Sequence, residues 1–304
     1  MRIAIVGAGG VGAAYGALLA EAGHDVRLLA RGAHLAAMRE RGLTVVRDGV
    51  ARTPTLTASD VAADLGVADV AILAVKLWGT EEAGEAAREL VGPDTLVITL
   101  QNGVDSRDRL APILGADRVV AGIAQISAVI DEPGVVVHRS PFARIIVGEP
   151  DGRPSARLDR FVAACIDAGI EARQTPEIDV ELWAKFVFIA SLSSACGVFR
   201  AGVGPILADA ETRAFLIRLF EEAVAVGRAE GVALPDDQVA RTLAFTEALP
   251  PTMRASMLDD LERGARLELP WLGGRVVAGG RRAGVPTPAH ETAALALKLH
   301  AEGR

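Results

Sequence analysis

A glycine-rich turn near the N-terminus constrains the fold of this chain more than any other feature. Residues 2–6 form a short apolar run that predicts a buried strand, and residues 7–12 follow it, fit the pattern G-x-G-x-x-G and open a helical segment. In this context Gly7 permits the tight turn, Gly9 lets the backbone approach a pyrophosphate, and Gly12 lets helix and strand pack closely. The helix N-terminus then offers N–H groups and a partial positive charge to the phosphates. A glycine-rich turn without a ligand is the alternative. The residues expected to bind the cofactor here are Gly7, Ala8, Gly9, Gly10, Val11 and Gly12.

Strand-like runs alternate with helical segments after this turn. Such alternation predicts an α/β fold with a Rossmann-like, doubly wound parallel sheet. The strand-like runs lie at 2–6, 26–29, 44–47, 69–74, 95–100 and 118–121. Three further short strands are expected to run antiparallel at the edge of the sheet, at 126–130, 135–138 and 144–147. A helix over 155–168 and a last strand at 171–173 complete this part.

The strand signal almost disappears after Gln174-Thr175-Pro176. We therefore expect two domains, a Rossmann-like domain at 1–174 and an all-α domain at 175–304. Segments with helical spacing fill 178–199, 208–231, 236–247, 255–263, 271–283 and 288–302.

Composition excludes several classes of function. Half of the 304 residues are hydrophobic and 23% are charged, as in globular proteins, and the net charge is −7 without any Lys/Arg run. This disfavours nucleic acid and an anionic membrane as partners. The uncharged run at 186–199 is too short to span a bilayer as a helix. Cys165 and Cys196 form no CxxC pair or Cys/His cluster, which predicts no metal site and a reducing cytoplasm.

The end of the second predicted strand indicates which dinucleotide binds. Sites for NAD place an Asp or Glu there to hold the ribose hydroxyls, but this chain reads Leu28-Leu29-Ala30-Arg31-Gly32. A guanidinium such as that of Arg31 pairs with a 2′-phosphate through two hydrogen bonds. The pattern favours NADPH over NADH, the alternative being an ordinary surface arginine.

Two polar residues follow predicted strands at the ends where open α/β sheets bind ligands. Lys76 follows the run 70–75, and Asn102 follows the run 95–100. Asn102 is the only asparagine of the chain and Lys76 one of three lysines, which favours a functional role. The alternatives are a solvated surface lysine and a Gln-Asn-Gly turn.

The helical half contributes a lysine in apolar surroundings. Lys185 is followed by Phe-Val-Phe-Ile, so we expect burial to lower its pKa until it donates a proton near neutral pH. A lysine that extends to solvent is the alternative. Residues at i+4 and i+8 share its face, and these are Ile189 and Ser193.

Ser256 and Glu268 are further candidate site residues of the helical half, and the sequence alone does not show whether they lie near Lys185. Ser256 begins a helical segment, either as an N-cap with Asp259 near the capping-box position or as a ligand for a substrate carboxylate. Glu268 stands between apolar residues two positions before Pro270, where a structural role in the first turn of a helix is the alternative.

Taken together, these features resemble the ketopantoate reductase (2-dehydropantoate 2-reductase) family over nearly the whole chain. Their order and spacing carry the resemblance more than any single motif. They are the N-terminal turn, Arg31, Val75-Lys76, Gln101-Asn102-Gly103, Leu182-Trp183-Ala184-Lys185, Ser256-Met257-Leu258-Asp259-Asp260, Glu268 and Gly284-Val285-Pro286-Thr287-Pro288.

The resemblance implies the reduction of a 2-oxo acid by NADPH, with ketopantoate and pantothenate biosynthesis as the first expectation. It also implies that the domain at 1–174 binds NADP and that the helical domain at 175–304 binds the substrate and forms a homodimer. By resemblance, Lys185 is the general acid and Glu268 arranges it; Lys76 and Asn102 contact the cofactor. Asn102, Ser193 and Ser256 are expected to bind the substrate.

The chain departs from the family where asparagines usually follow the catalytic lysine. Ile189, Ser193 and Val203 occupy those positions. The departure favours, as an alternative, a related reductase of a less polar 2-oxo acid or ketone. An NADPH-binding sensor without catalysis and another Rossmann-plus-helix dehydrogenase are the remaining alternatives.

Overall fold

Twelve strands fall within the first 174 residues of the chain. The structure is a computed structural model, and it describes residues 1–303. The strands are β1 (Arg2–Val6), β2 (Asp25–Leu29), β3 (Thr44–Arg47), β4 (Val50–Arg52), β5 (Thr57–Ser59), β6 (Ala68–Leu73), β7 (Val91–Thr99), β8 (Val119–Gln125), β9 (Ala128–Glu132), β10 (Val135–His138), β11 (Arg144–Gly148) and β12 (Glu171–Gln174).

Helices alternate with these strands and then fill the rest of the chain. The α-helices are α1 (Gly10–Glu21), α2 (Gly32–Arg41), α3 (Ala62–Leu65), α4 (Thr80–Ala87), α5 (Ser106–Leu114), α6 (Ala156–Asp167), α7 (Ile178–Phe199), α8 (Val203–Ala208), α9 (Ala210–Ala229), α10 (Gln238–Glu247), α11 (Ser256–Glu262), α12 (Gly273–Ala283) and α13 (Pro288–Leu297). Short 3₁₀ turns cover Leu77–Gly79, Arg88–Leu90, Leu269–Trp271 and Lys298–His300.

The chain divides into two compact units. Unit 1 contains Met1–Gln101 and Asp105–Ile178. Unit 2 contains Asn102–Val104 and the chain from Asp179 onwards. The three residues Asn102–Val104 therefore group with the helical unit, although they begin only three positions after the end of β7 in unit 1.

Unit 1 is built on an eight-stranded sheet with the order β12-β11-β8-β7-β6-β1-β2-β5. All neighbouring strands run parallel except β8 and β11, which are antiparallel. This confirms the predicted α/β, Rossmann-like fold followed by a helical region. The chain leaves β1 toward β2 on one side and returns to β6 on the other. The carboxyl ends of β1 and β6 thus flank a topological switch point, where such sheets bind ligands.

Alternate side chains of β1 enter two separate cores, as they must when a strand is covered on both faces. Ile3 and Ile5 pack in one core with the buried ring of Tyr15 from α1. Ala4 and Val6 pack in the other core, on the opposite face of the sheet. The Tyr15 hydroxyl donates a hydrogen bond to the carbonyl of Arg144, 2.8 Å away, so this large buried residue leaves no hydroxyl unsatisfied.

A second, four-stranded sheet with the order β4-β3-β10-β9 corrects part of the sequence interpretation. The runs at 126–130 and 135–138 were expected at the edge of the main sheet, and this is wrong, because β10 pairs with β9 and with β3 instead. The run at 44–47 likewise belongs to the second sheet. Pairing between β3 and β10 spans about 90 residues and leaves no local signal. The third run, at 144–147, is β11. It is antiparallel to β8 as expected, and it is the second strand from the edge of the main sheet, between β8 and the edge strand β12.

Helix α7, with 22 residues, is the longest helix in the described part of the chain, and it lies in unit 2 from Asp179 onwards. The Trp183 ring packs edge-on against Phe186, with ring centroids 5.3 Å apart, and a Cβ on Gly227 of α9 would lie 2.7 Å from that indole. Length and apolar composition alone would let α7 span a membrane, but 67% of its most apolar window is buried inside the protein. That burial is typical of a core helix.

Candidate active site

The turn between β1 and α1 has the close backbone approaches that dinucleotide-binding turns require. Gly7 has φ +98°, and a Cβ there would lie 2.9 Å from the backbone nitrogen of Val75, at the end of the neighbouring β6. A Cβ on Gly12 would lie 2.2 Å from the carbonyl oxygen of Gly7. Both positions therefore exclude any side chain, because backbone atoms would have to move.

Gly9 differs from its neighbours because a Cβ there would meet nothing within 4 Å. Gly9 is the N-cap of α1 with no side-chain cap, and the first turn of α1 carries no acidic residue. An uncapped helix N-terminus beside open space suits an anion, since its N–H groups and dipole attract negative charge. The turn therefore fits the pyrophosphate of a dinucleotide. Within it, Ala8 is buried and Val11 is half-buried.

Gly10 has a structural role that the motif alone does not reveal. A Cβ on Gly10 would lie 2.2 Å from the carbonyl oxygen of Ala128, the first residue of β9. The glycine thus lets the second sheet approach the start of α1. This packing explains why a glycine is needed at position 10.

Arg31 follows β2 and occupies the N-cap position of α2. Its guanidinium forms an ion pair with Glu82 of α4, with 2.7 Å between Nη1 and Oε1. The two side chains are 79% and 70% exposed, so the pair is weak and the guanidinium is accessible. The residues between Leu29 and Gly32 contain no acid for ribose hydroxyls. An accessible guanidinium can pair with a phosphate, and its partner in this structure is the carboxylate of Glu82.

Lys76 and Gln101 lie at the carboxyl ends of the neighbouring strands β6 and β7. Lys76 begins the 3₁₀ turn Leu77–Gly79, and its Nζ lies 5.7 Å from the centroid of the Trp78 ring. Gln101 is buried, and its Nε2 donates to the carbonyl of Val75 at 3.1 Å and to the hydroxyl of Thr80 at 2.9 Å. Gln101 therefore ties the two loops together. Sequence reasoning assigned it no role, and only its position beside Asn102 pointed to one.

Unit 2 brings together Lys185, Asn102 and Glu268. Lys185 Nζ donates a hydrogen bond to Asn102 Oδ1, 3.0 Å away, across 83 positions of sequence. Burial lowers the pKa of Lys185 to about 8, and the negative charge of Glu268 partly opposes that shift. Glu268 is itself only 5% exposed. An ammonium that titrates close to neutrality and has an orienting amide is a good proton donor.

Glu268 owes its position to a tight turn. It precedes the 3₁₀ turn Leu269–Trp271, and its carbonyl accepts hydrogen bonds from the N–H groups of Trp271 and Leu272, both at 3.0 Å. Pro270 occupies the first turn, as the sequence indicates. The turn holds the Glu268 backbone in place while the carboxylate acts on Lys185.

The two candidate serines, Ser193 and Ser256, lie on different helices, α7 and α11. Ser193 is 5% exposed and lies two turns after Lys185 on α7. Ser256 is exposed at the first position of α11, and the N-cap is Ala255, without a side-chain cap. The N-cap expectation for Ser256 is therefore wrong. Its predicted capping partner Asp259 pairs with Arg254 instead, at 3.2 Å.

Neither serine hydroxyl forms a hydrogen bond with another of the residues 1–303, and only Ser256 is exposed to solvent. Val203, the last of the positions where the sequence departs from the family, is buried at the start of α8. Within the described part of the chain, no group of three or more His, Cys, Asp or Glu side chains could hold a metal ion.

Comparison with known proteins covers both units. Residues 3–152 match the family model described as ketopantoate reductase PanE/ApbA, and residues 177–301 match the model of its C-terminal domain. A 2-dehydropantoate 2-reductase of Mesorhizobium japonicum is 31% identical over 309 residues, which cover 95% of this chain and 94% of that protein.

Two solved structures agree with this match along nearly their whole length. The 2-dehydropantoate 2-reductase of Geobacter metallireducens has a TM-score of 0.91 and 32% identity, covering 98% of this chain and 99% of its own. A PanE/ApbA family ketopantoate reductase of Ralstonia eutropha has a TM-score of 0.91 and 30% identity, covering 99% and 98%.

Proposed function

Because this chain belongs to the ketopantoate reductase family and is an oxidoreductase that acts on CH–OH and C=O groups, we propose that it reduces the keto group of a 2-oxo acid with NADPH. Ketopantoate is the first candidate substrate, since the relatives of Mesorhizobium japonicum and Geobacter metallireducens, which match over nearly their whole length, are named 2-dehydropantoate 2-reductase. The observation that carries the proposal is the contact between Lys185 and Asn102 beside Glu268, which makes a lysine with a lowered pKa available as a proton donor.

NADPH, when bound, supplies a hydride to the keto carbon. In our proposal the turn at residues 7–12 holds its pyrophosphate, and Arg31 and Lys76 contribute positive charge, with Arg31 directed at the 2′-phosphate. Support for NADPH over NADH comes from the exposed guanidinium of Arg31 and the absence of an acid after β2.

Lys185 performs the proton transfer in this proposal. Its ammonium lies beside the keto oxygen, stabilises the negative charge that develops there and donates the proton that completes the hydroxyl. The Asn102 amide fixes the direction of Nζ, and the Glu268 carboxylate keeps Lys185 protonated at neutral pH. The hydroxyls of Ser193 and Ser256 are the proposed contacts for polar groups of the substrate.

The test is NADPH oxidation by the purified protein with ketopantoate, with NADH in parallel and the 2-hydroxy acid identified as product. We expect turnover that depends on NADPH and is much slower with NADH. Tight binding of NADPH without reduction of any 2-oxo acid would refute the proposal and favour a non-catalytic sensor. A product other than a 2-hydroxy acid would indicate a different dehydrogenase.

A further inference from the structure

One face of helix α7 is partly exposed to solvent. Between Glu181 and Ile189 the partly exposed residues are 181, 184, 185, 188 and 189, while 182, 183, 186 and 187 are buried. This spacing of three and four residues defines one face of the helix. Lys185, Phe188 and Ile189 therefore share the face that is open to a ligand.

The residues beside Lys185 on this face are apolar. The Phe188 ring packs edge-on against Phe245 of α10, with centroids 5.0 Å apart and an interplanar angle of 84°. Phe245 is 54% exposed although it is a large aromatic residue. Phe188, Ile189 and Phe245 thus make an accessible apolar surface one helical turn from the proposed proton donor, and we call these three residues the apolar surface.

Ile189 lies one helical turn after Lys185, next to the place where the side chain of a bound 2-oxo acid would lie. Four residues correspond to about 6 Å along a helix axis, and helical side chains lean toward the N-terminus, so Ile189 covers the surface next to Lys185. In a 2-oxo acid the side chain begins on the carbon next to the keto group. With the keto oxygen at the ammonium and the side chain directed along α7 toward its C-terminus, the side chain reaches the level of Ile189. The Ser193 hydroxyl lies about 12 Å along the axis from Lys185 and is nearly buried.

We propose that the apolar surface binds the side chain of the substrate, so that the enzyme prefers 2-oxo acids with an alkyl or aryl side chain to ketopantoate, whose side chain ends in a hydroxyl. This inference rests on the proposed 2-oxo acid reduction. A hydroxyl placed against Phe188 and Ile189 loses its hydrogen bonds to water and gains none in return. Such a loss lowers binding by about 5- to 150-fold.

A matched pair of substrates tests the inference. Ketopantoate and 3,3-dimethyl-2-oxobutanoate differ only in one oxygen atom, the hydroxyl that distinguishes the two classes. We expect kcat/KM with NADPH to be at least about fivefold higher for the compound without the hydroxyl. Calorimetric titration in the presence of NADP⁺, where no turnover occurs, is expected to show that 3,3-dimethyl-2-oxobutanoate binds more tightly than ketopantoate.

Substitution of Ile189 tests the assignment of the residue. Ile189→Asn supplies a hydrogen-bond partner, and we expect it to shift the ratio of the two kcat/KM values toward ketopantoate by about tenfold or more. Ile189→Leu keeps the apolar surface and is expected to leave the ratio unchanged. Ile166→Asn is the matched control, because Ile166 is also an accessible isoleucine, 56% exposed on α6 of unit 1.

The outcomes separate this inference from the proposed function. The inference fails if the wild-type protein reduces ketopantoate better than its analogue 3,3-dimethyl-2-oxobutanoate, or if Ile189→Asn leaves the ratio of the two kcat/KM values unchanged. In either case the apolar surface does not select the substrate, although 2-oxo acid reduction stands. If the protein reduces neither compound nor any aryl or alkyl 2-oxo acid, the proposed function itself fails. Preference for the analogue together with a shifted ratio in Ile189→Asn supports the inference.

Discussion

Replacement of Glu268 by glutamine is expected to move the alkaline limb of the pH–rate profile to lower pH. Burial lowers the pKa of Lys185 to about 8, and the Glu268 carboxylate opposes this because a neighbouring negative charge favours the ammonium. Without that charge the pKa falls further. Since a general acid works only in its protonated form, activity is lost at a lower pH than in the wild-type protein.

The size of the effect follows from the pKa of Lys185. An opposite charge close by changes a pKa by about 1 to 3 units, each unit being about 1.4 kcal/mol. With a pKa of about 8, roughly nine-tenths of Lys185 is protonated at pH 7. A decrease of one unit leaves roughly half protonated, and two units leave about one-tenth. At pH 7 the variant is therefore expected to lose about twofold in kcat/KM for a decrease of one unit and about tenfold for two units, and to regain activity at lower pH.

The assay is kcat/KM for NADPH-dependent reduction as a function of pH, because this parameter reports the ionisation of the free enzyme. Glu262→Gln is the matched control, since Glu262 is an exposed carboxylate of the same unit, paired with Arg254. Its profile should match that of the wild-type protein. An unchanged alkaline limb in Glu268→Gln, or one moved to higher pH, would refute the electrostatic role of Glu268.

Two further predictions concern the cofactor and the stability of the helical unit. Glu82→Gln removes the ion-pair partner of Arg31, and since exposed pairs contribute about 0.2–1 kcal/mol, the dissociation constant of NADPH is expected to fall by up to about fivefold in a fluorescence titration. The constant for NADH should stay the same, and equal changes for both would contradict the assignment of Arg31 to the 2′-phosphate. Glu222 accepts hydrogen bonds from two backbone N–H groups at the start of α13 and contacts Nδ1 of the buried His290 at 2.9 Å. Glu222→Ala is therefore expected to lower the free energy of unfolding in urea by about 2–4 kcal/mol, whereas the exposed neighbour Glu221→Ala should change it by less than about 0.5 kcal/mol. Equal losses in the two variants would contradict the capping role.

Local sequence patterns predicted the elements that depend on local physics. The run at residues 2–6, the glycines after it and the helix that follows all lie within one continuous stretch, and the structure contains β1, the turn and α1 there. Lys185 likewise stands out because its immediate neighbours in the sequence are apolar, and burial of the lysine lowers its pKa. Short-range signals of this kind need no knowledge of the tertiary fold.

Contacts between distant residues could not be predicted in this way. The pairing of β3 with β10 created a second sheet, and the Gly10–Ala128 approach depends on it. The hydrogen bond from Lys185 to Asn102 joins residues 83 positions apart. Ser256 shows the limit of a local rule, because serine is a favoured N-cap but Ala255 occupies that position. Such outcomes are decided by packing, which the sequence pattern around each residue does not report.

The most direct test of the central claim, proton donation by Lys185, is the rate of NADPH-dependent 2-oxo acid reduction by Lys185→Ala, measured together with its affinity for NADPH. We expect kcat to fall by about 10²- to 10⁴-fold, the usual contribution of a general acid, while the dissociation constant of NADPH changes little. A variant that retains the wild-type rate with whichever 2-oxo acid the protein reduces would show that Lys185 is not the proton donor.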